Sequence, residues 1–266
     1  MNIDQMINGA NFRRAAALVI DSPPTQRINV NLLKDGDVIF CKTDYIFHLF
    51  NELHHSKNAM AHKYKLITHC SDYAINRQIF NTRPACIAKW FAQNVDYSHQ
   101  DLIPLPIGVE NHLGYSRGGY IQPEVFDRPL LNTPRENLVY CNFSTHTHHN
   151  RFNVWSTLAN NDLCVMDQDK SFTEYCEQLQ QYRYVASPRG NGIDCHRTWE
   201  ALYMGAVPIV EKHPMYDSWS FLPILQITDW NDLNTVLQST SLVVTPEIST
   251  YLNINYWIDK IKNYAC

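Results

Sequence analysis

Two arginines, two carboxylates and three glycines crowd into residues 184–210, Tyr-Val-Ala-Ser-Pro-Arg-Gly-Asn-Gly-Ile-Asp-Cys-His-Arg-Thr-Trp-Glu-Ala-Leu-Tyr-Met-Gly-Ala-Val-Pro-Ile-Val. Residues of these types at this spacing suit a phosphorylated ligand. Arg189, Gly190, Asn191 and Gly192 read as a turn whose glycines permit positive φ and close backbone approach. Tyr184–Ser187 reads as the strand that feeds it. Asp194 reads as the N-cap of a following helix, Trp199 and Leu202 as its buried stripe, Gly205 as its C′ residue, and Val207–Val210 as the next strand. Such a unit presents backbone N–H groups and the positive end of a helix to an anion. Arg197, in the first turn, opposes the helix dipole and gains from an anion bound there. Glu200 shares its face, off the apolar stripe and within reach of ribose hydroxyls. From spacing alone, Arg189, Asp194, Arg197 and Glu200 also fit a solvated salt-bridge network.

Other segments bear on the same chemistry. Asn137–Thr145 runs from strand into polar loop, and Arg151 opens a helical pattern with Val154, Trp155 and Leu158 as its apolar side. Lys65–His69 is a buried strand that delivers His69, Ser71 and Asp72 into a loop at its C-terminal end, a favoured place for catalytic groups. Leu102–Val109 is a strand interrupted by Pro104 and Pro106, hence at an edge or irregular. His146, His148 and His149 lack the spacing that aims metal ligands at one point, so no metal is expected. Asp167 and Asp169 read as loop or cap residues, and His54-His55 as an exposed helix end.

The pattern P-R-G followed by R-x-x-E-A-L and V-P-I, carried here by Arg189, Gly190, Arg197, Glu200 and Pro208, resembles the donor-binding motif of exostosin-like glycosyltransferases, family 47 and its relatives. Further phrases at 65–73, 88–94 and 102–111 are similar to a series in that family, and the likeness spans most of 37–111 and 137–215. It implies a GT-B-like α/β fold with two Rossmann-like domains facing across a cleft. It also implies transfer of a sugar from a UDP- or GDP-linked donor to a glycan or other hydroxyl acceptor. The donor contacts it suggests are Asn142, Arg151, Arg189, Gly190, Asn191, Gly192, Asp194, Arg197 and Glu200. The glutamate would hold the ribose, and the arginines would neutralise the diphosphate in place of a metal. Asp72 is the first candidate for the base that deprotonates the acceptor and Glu110 the second. Many nucleotide-sugar transferases carry another glutamate eight positions before the first, where this chain has Gly192, so the stereochemistry stays open.

Composition accommodates such a protein. The 266 residues are 45% hydrophobic with a net charge of −4, enough for a full core and without a bulk basic surface for nucleic acid. Eight cysteines without C-x-x-C pairs suggest reduced thiols in a cytoplasmic setting. The apolar run Ala15–Ile20 is too short for a membrane span or the core of a signal peptide. Strand and helix patterns alternate: strand 37–42, helix 45–53, strand 65–69, helix 86–93, strand 102–109. This places an acceptor-side domain at 1–112, a Gly/Pro-rich linker at 113–135 and a donor-binding domain at 136–247, with a helix at 248–263 crossing back onto the first domain. Two other classes stay open: a nucleotide-sugar-binding protein without catalysis, and an enzyme using the same donor site on a DNA base. The second is less favoured.

Overall fold

Five short apolar runs form one parallel sheet. Strands β1 (Leu18–Ile20), β2 (Val38–Lys42), β3 (Tyr64–His69), β4 (Ile87–Ala92) and β5 (Leu102–Pro104) lie side by side in that order. This computed structural model describes residues 2–23, 28–110, 115–116, 119–120, 123–126, 130 and 134–265. β2 and β3 are buried at every residue but Lys42 because both faces of the sheet are covered. Phe40, Ile67 and Phe91 are buried on one face, and Ile39, Cys41, Leu66 and Trp90 on the other. Helix α1 (Ile46–His55) buries Ile46, Leu49, Phe50 and Leu53, the i, i+3, i+4, i+7 stripe of an amphipathic helix.

Two expectations are corrected in this sheet. Residues 86–93 were expected to be helical, since Ala88, Lys89, Ala92 and Gln93 favour helices, yet Ile87–Ala92 is a strand paired on both sides. A short apolar run does not reveal its period, and sheet pairing overrides propensity. The strand expected at 102–109 stops at Pro104 and lies at the sheet edge, where a residue without an N–H is tolerated.

The second sheet has a different winding. β6 (Glu136–Cys141), β7 (Cys164–Met166), β8 (Tyr182–Ala186), β9 (Val207–Glu211) and β10 (Leu225–Ile227) are all parallel, in the order β7-β6-β8-β9-β10. Alternation along the strands splits the side chains between two cores. Val139, Cys141, Tyr184 and Ala186 enter one, Tyr140 and Val185 the other, as in a doubly wound Rossmann-like sheet. From β6 the chain first goes to β7 on one side and then crosses to β8 on the other. Strand order therefore reverses between β6 and β8.

The first three of these strands in the chain, β6, β7 and β8, are followed by helices α2 (Arg151–Ala159), α3 (Phe172–Leu179) and α4 (His196–Tyr203). Ser171 and Glu174 close a capping box at the start of α3. Gly205, at φ +76°, ends α4 in a Schellman turn, its N–H donating to Leu202 O (3.1 Å) and the Ala206 N–H to Ala201 O (2.8 Å). Arg135 ties this end down, donating to Leu179 O, Tyr182 O and Met204 O at 2.9, 3.1 and 2.6 Å.

The chain divides into two compact units, Ile7–Ile107 with Ile254–Cys266, and Met1–Met6 with Gly108–Asn253. The single helix expected at 248–263 is instead a 3₁₀ turn, Pro246–Thr250, and a helix, Ile254–Asn263, separated where Asn253 bridges Met6. The later helix belongs with the first sheet, where Lys65 Nζ donates to Lys262 O at 2.6 Å. Much of the linker expected at 113–135 lies outside the described residues. Among the described residues, no helix is long and apolar enough to cross a membrane.

Candidate functional site

The loops after β6 and β8 leave the C-terminal ends of the two strands between which the order reverses. In open α/β sheets the crevice at this switch point holds ligands. Most of the residues singled out in the sequence meet here.

Arg151, the first residue of α2, is buried and joins the two loops. Its Nε donates to Arg189 O (2.8 Å), Nη2 to Pro188 O (2.7 Å) and Nη1 to Ser144 O (2.9 Å). The planar fork of a guanidinium matches this divergent set of carbonyls. Gly190 makes room for it: a Cβ there would lie 3.2 Å from Arg151 Nη2. The positive-φ glycines among the described residues are Gly36, Gly108 and Gly205. Gly190 and Gly192 thus do not use the left-handed conformations anticipated for the turn; Gly190 is required for close approach.

Asn142 and Arg197 meet across the same crevice. The Arg197 Nε donates to Asn142 O at 2.8 Å, and both residues are buried. The Asn142 side chain donates to Tyr140 Oη (3.1 Å), which donates in turn to Asp167 Oδ2 (2.9 Å). Asp167 thus acts in a loop, anchoring the end of β6. Arg197 lies in the first turn of α4, whose N-cap is Cys195 rather than the expected Asp194, and the Cys195 side chain makes no capping bond. Asp194 stands one residue earlier because its carboxylate is occupied otherwise: Oδ1 accepts from the Cys195 N–H (2.9 Å) and Oδ2 from the Trp199 indole N–H (2.8 Å). Burial pushes the Cys195 thiol pKa up, against the opposing pull of Arg151 and Arg197.

Glu200 lies one turn further along α4, only 2% exposed, and accepts from Tyr175 Oη at 3.0 Å. Arg197 through Leu202 are all buried, so the charged residues of α4 are not a solvated face. At the loop tip Asn191 is exposed and Gly192 buried. The Arg189 N–H donates to Glu211 Oε2 (2.7 Å), and Glu211 Oε1 accepts from Trp230 Nε1 (3.1 Å). His148, in the loop after β6, has its pKa lowered by burial and then by Arg189 and His149. Sequence reading passed over Tyr140, Tyr175 and Glu211. Of these Glu211 had a signal, as a carboxylate at the C-terminal end of a parallel strand.

The two proposed bases lie in different units. Asp72 is exposed in the loop after β3. That loop is firmly built: Gln93 Oε1 accepts from the Cys70 N–H at 3.0 Å, while Gln93 Nε2 and Asn94 Nδ2 donate to Ser71 O at 3.0 and 3.2 Å. Cys70 and Asn94 take left-handed φ of 61° and 54°. Glu110 is half-buried, two residues beyond Gly108, whose carbonyl lies 2.7 Å from Nδ1 of His196, the first residue of α4. Among the described residues, no group of three or more His, Cys, Asp or Glu is placed to hold a metal ion.

No curated protein matches the chain. Among solved structures, a chain from the "Crystal structure of GtfA/B complex" is similar at 12% identity and a TM-score of 0.43, over 86% of this chain and 56% of that one. This chain thus spans little more than half the length of that relative. Residues 132–264, half of the 266, match the model of the family described as RXYLT1 C-terminal domain. The chain therefore belongs to the RXYLT1 C-terminal domain family.

Proposed function

We propose that this chain is a glycosyltransferase that holds a nucleoside-diphosphate sugar at the switch point of its second sheet and transfers the sugar to a hydroxyl acceptor. One observation carries this reading: Asn142, Arg151, Arg189, Arg197 and the N-terminus of α4 converge where strand order reverses. Family membership supports a glycosyltransferase in general. The assignment to the GT-B class and to family 47 is part of the proposal.

In this reading the diphosphate lies against the N-terminus of α4 and Arg197, with Arg189 beside it. Fixed positive charge there stabilises the leaving nucleoside diphosphate without a divalent cation. Arg151 holds the two loops in register rather than serving chiefly as a ligand, since its guanidinium already serves three carbonyls. Glu200, oriented by Tyr175, takes the ribose hydroxyls. A carboxylate, Asp72 or Glu110, accepts the acceptor proton.

The test is turnover of a panel of UDP- and GDP-linked hexoses and pentoses, read as nucleoside diphosphate released in the presence of candidate glycan acceptors. Asp72→Asn or Glu110→Gln in the true base lowers turnover by about two to four orders of magnitude with donor affinity intact. Donor binding without turnover on any acceptor would favour the non-catalytic binding protein.

A further inference from the structure

We propose that Thr147 and Arg189 form a subsite for the sugar-linked phosphate of the donor, so that the protein discriminates nucleoside diphosphates from monophosphates. The inference rests on the donor site proposed above and deepens it. Thr147 Oγ1 and Arg189 Nε are buried polar atoms without a hydrogen-bond partner. Leaving a buried donor unpaired costs about 1–3 kcal/mol, so an orphan on each of two apposed loops calls for a ligand.

Both residues border Gly190. Thr147 Oγ1 lies 3.5 Å from the position a Cβ would take there and Arg151 Nη2 lies 3.2 Å from it, so any side chain at 190 would fill this cradle. Arg189 is the neighbouring residue, and its charge adds to burial in lowering the pKa of His148, next to Thr147 in the chain. A hydroxyl and a guanidinium N–H are the donors a phosphate oxygen accepts from.

The order of groups indicates which phosphate is held. With the ribose at Glu200, Arg197 lies one turn nearer the N-terminus of α4 and meets Asn142. Arg189 and Thr147 belong to the two loops that Arg151 joins, the first of them in the loop that leads into α4 and the second beside its Gly190. The nucleoside end thus falls at Glu200 and the sugar-linked end at Thr147.

Calorimetry on the full chain tests this, using UDP and GDP, the matching monophosphates, and inorganic pyrophosphate. Thr147→Val keeps the shape and removes the hydroxyl; it is expected to weaken diphosphate binding about tenfold and leave monophosphate binding within about twofold. Thr147→Ser, which restores a hydroxyl, is expected to recover most of the loss, which a packing defect would not allow. Diphosphate affinity unchanged in Thr147→Val overturns the subsite and leaves the donor site standing. If the wild type binds no nucleoside diphosphate, the donor reading itself fails. Pyrophosphate then decides: binding lost in Thr147→Val sustains an anion subsite here, and Thr147-independent or absent binding overturns it.

Discussion

Arg151 and Arg197 read alike in the sequence, each at the start of a helix after a polar loop, yet their surroundings divide the work. Arg151 is a staple. Its three carbonyl partners come from two loops, so Arg151→Lys, which replaces a fork by a point charge, should lower stability by about 2–3 kcal/mol in urea unfolding. An unchanged midpoint would contradict the staple. Glu200→Gln separates ligand from scaffold differently, because a glutamine oxygen still accepts from Tyr175. It should weaken nucleoside diphosphate binding about tenfold, while a 2′,3′-dideoxy analogue binds both proteins equally. A parallel loss with the analogue would show that Glu200 does not meet the ribose. The sequence revealed the chemical types at 189–200 because spacing places them on one loop and one helix. It concealed their partners, since Tyr175 and Glu211 arrive from another helix and another strand and leave no local pattern.

At the scale of elements, legibility followed the amount of local signal. Gly205 and the stripe of Trp199 and Leu202 sufficed to mark the end and the buried face of α4, because helix termination and amphipathicity are local. Gly205→Ala should accordingly destabilise by about 1–2 kcal/mol, since alanine strains at φ +76° and its Cβ would lie 2.7 Å from Arg135 Nη2. Urea midpoints and hydrogen exchange in α4 check this; wild-type protection at the last turn would contradict it. Residues 86–93 were misread for the converse reason: their helix-favouring residues are outweighed by two neighbouring strands. The same pairing gives Gln93 and Asn94 their place under the Asp72 loop. Asp194 was displaced from the cap position by Trp199, a contact five residues away that a capping rule does not contain.

For the whole molecule, the alternation of strand and helix was enough to read a parallel α/β chain, while the strand order was not readable. Crossovers of similar length lead to β7 on one side of β6 and to β8 on the other, and that choice creates the switch point. The site owes its position to this reversal and its charge to the arginines. Its central claim is that fixed cations and a helix N-terminus bind a nucleoside diphosphate without a metal. The direct measurement is calorimetric titration of the wild-type chain with UDP and GDP in excess EDTA, repeated with Arg197→Lys. The account predicts saturable binding of one of them in EDTA, weakened about tenfold or more by the substitution. Binding that appears only with added manganese or magnesium, or that is indifferent to Arg197, would contradict it.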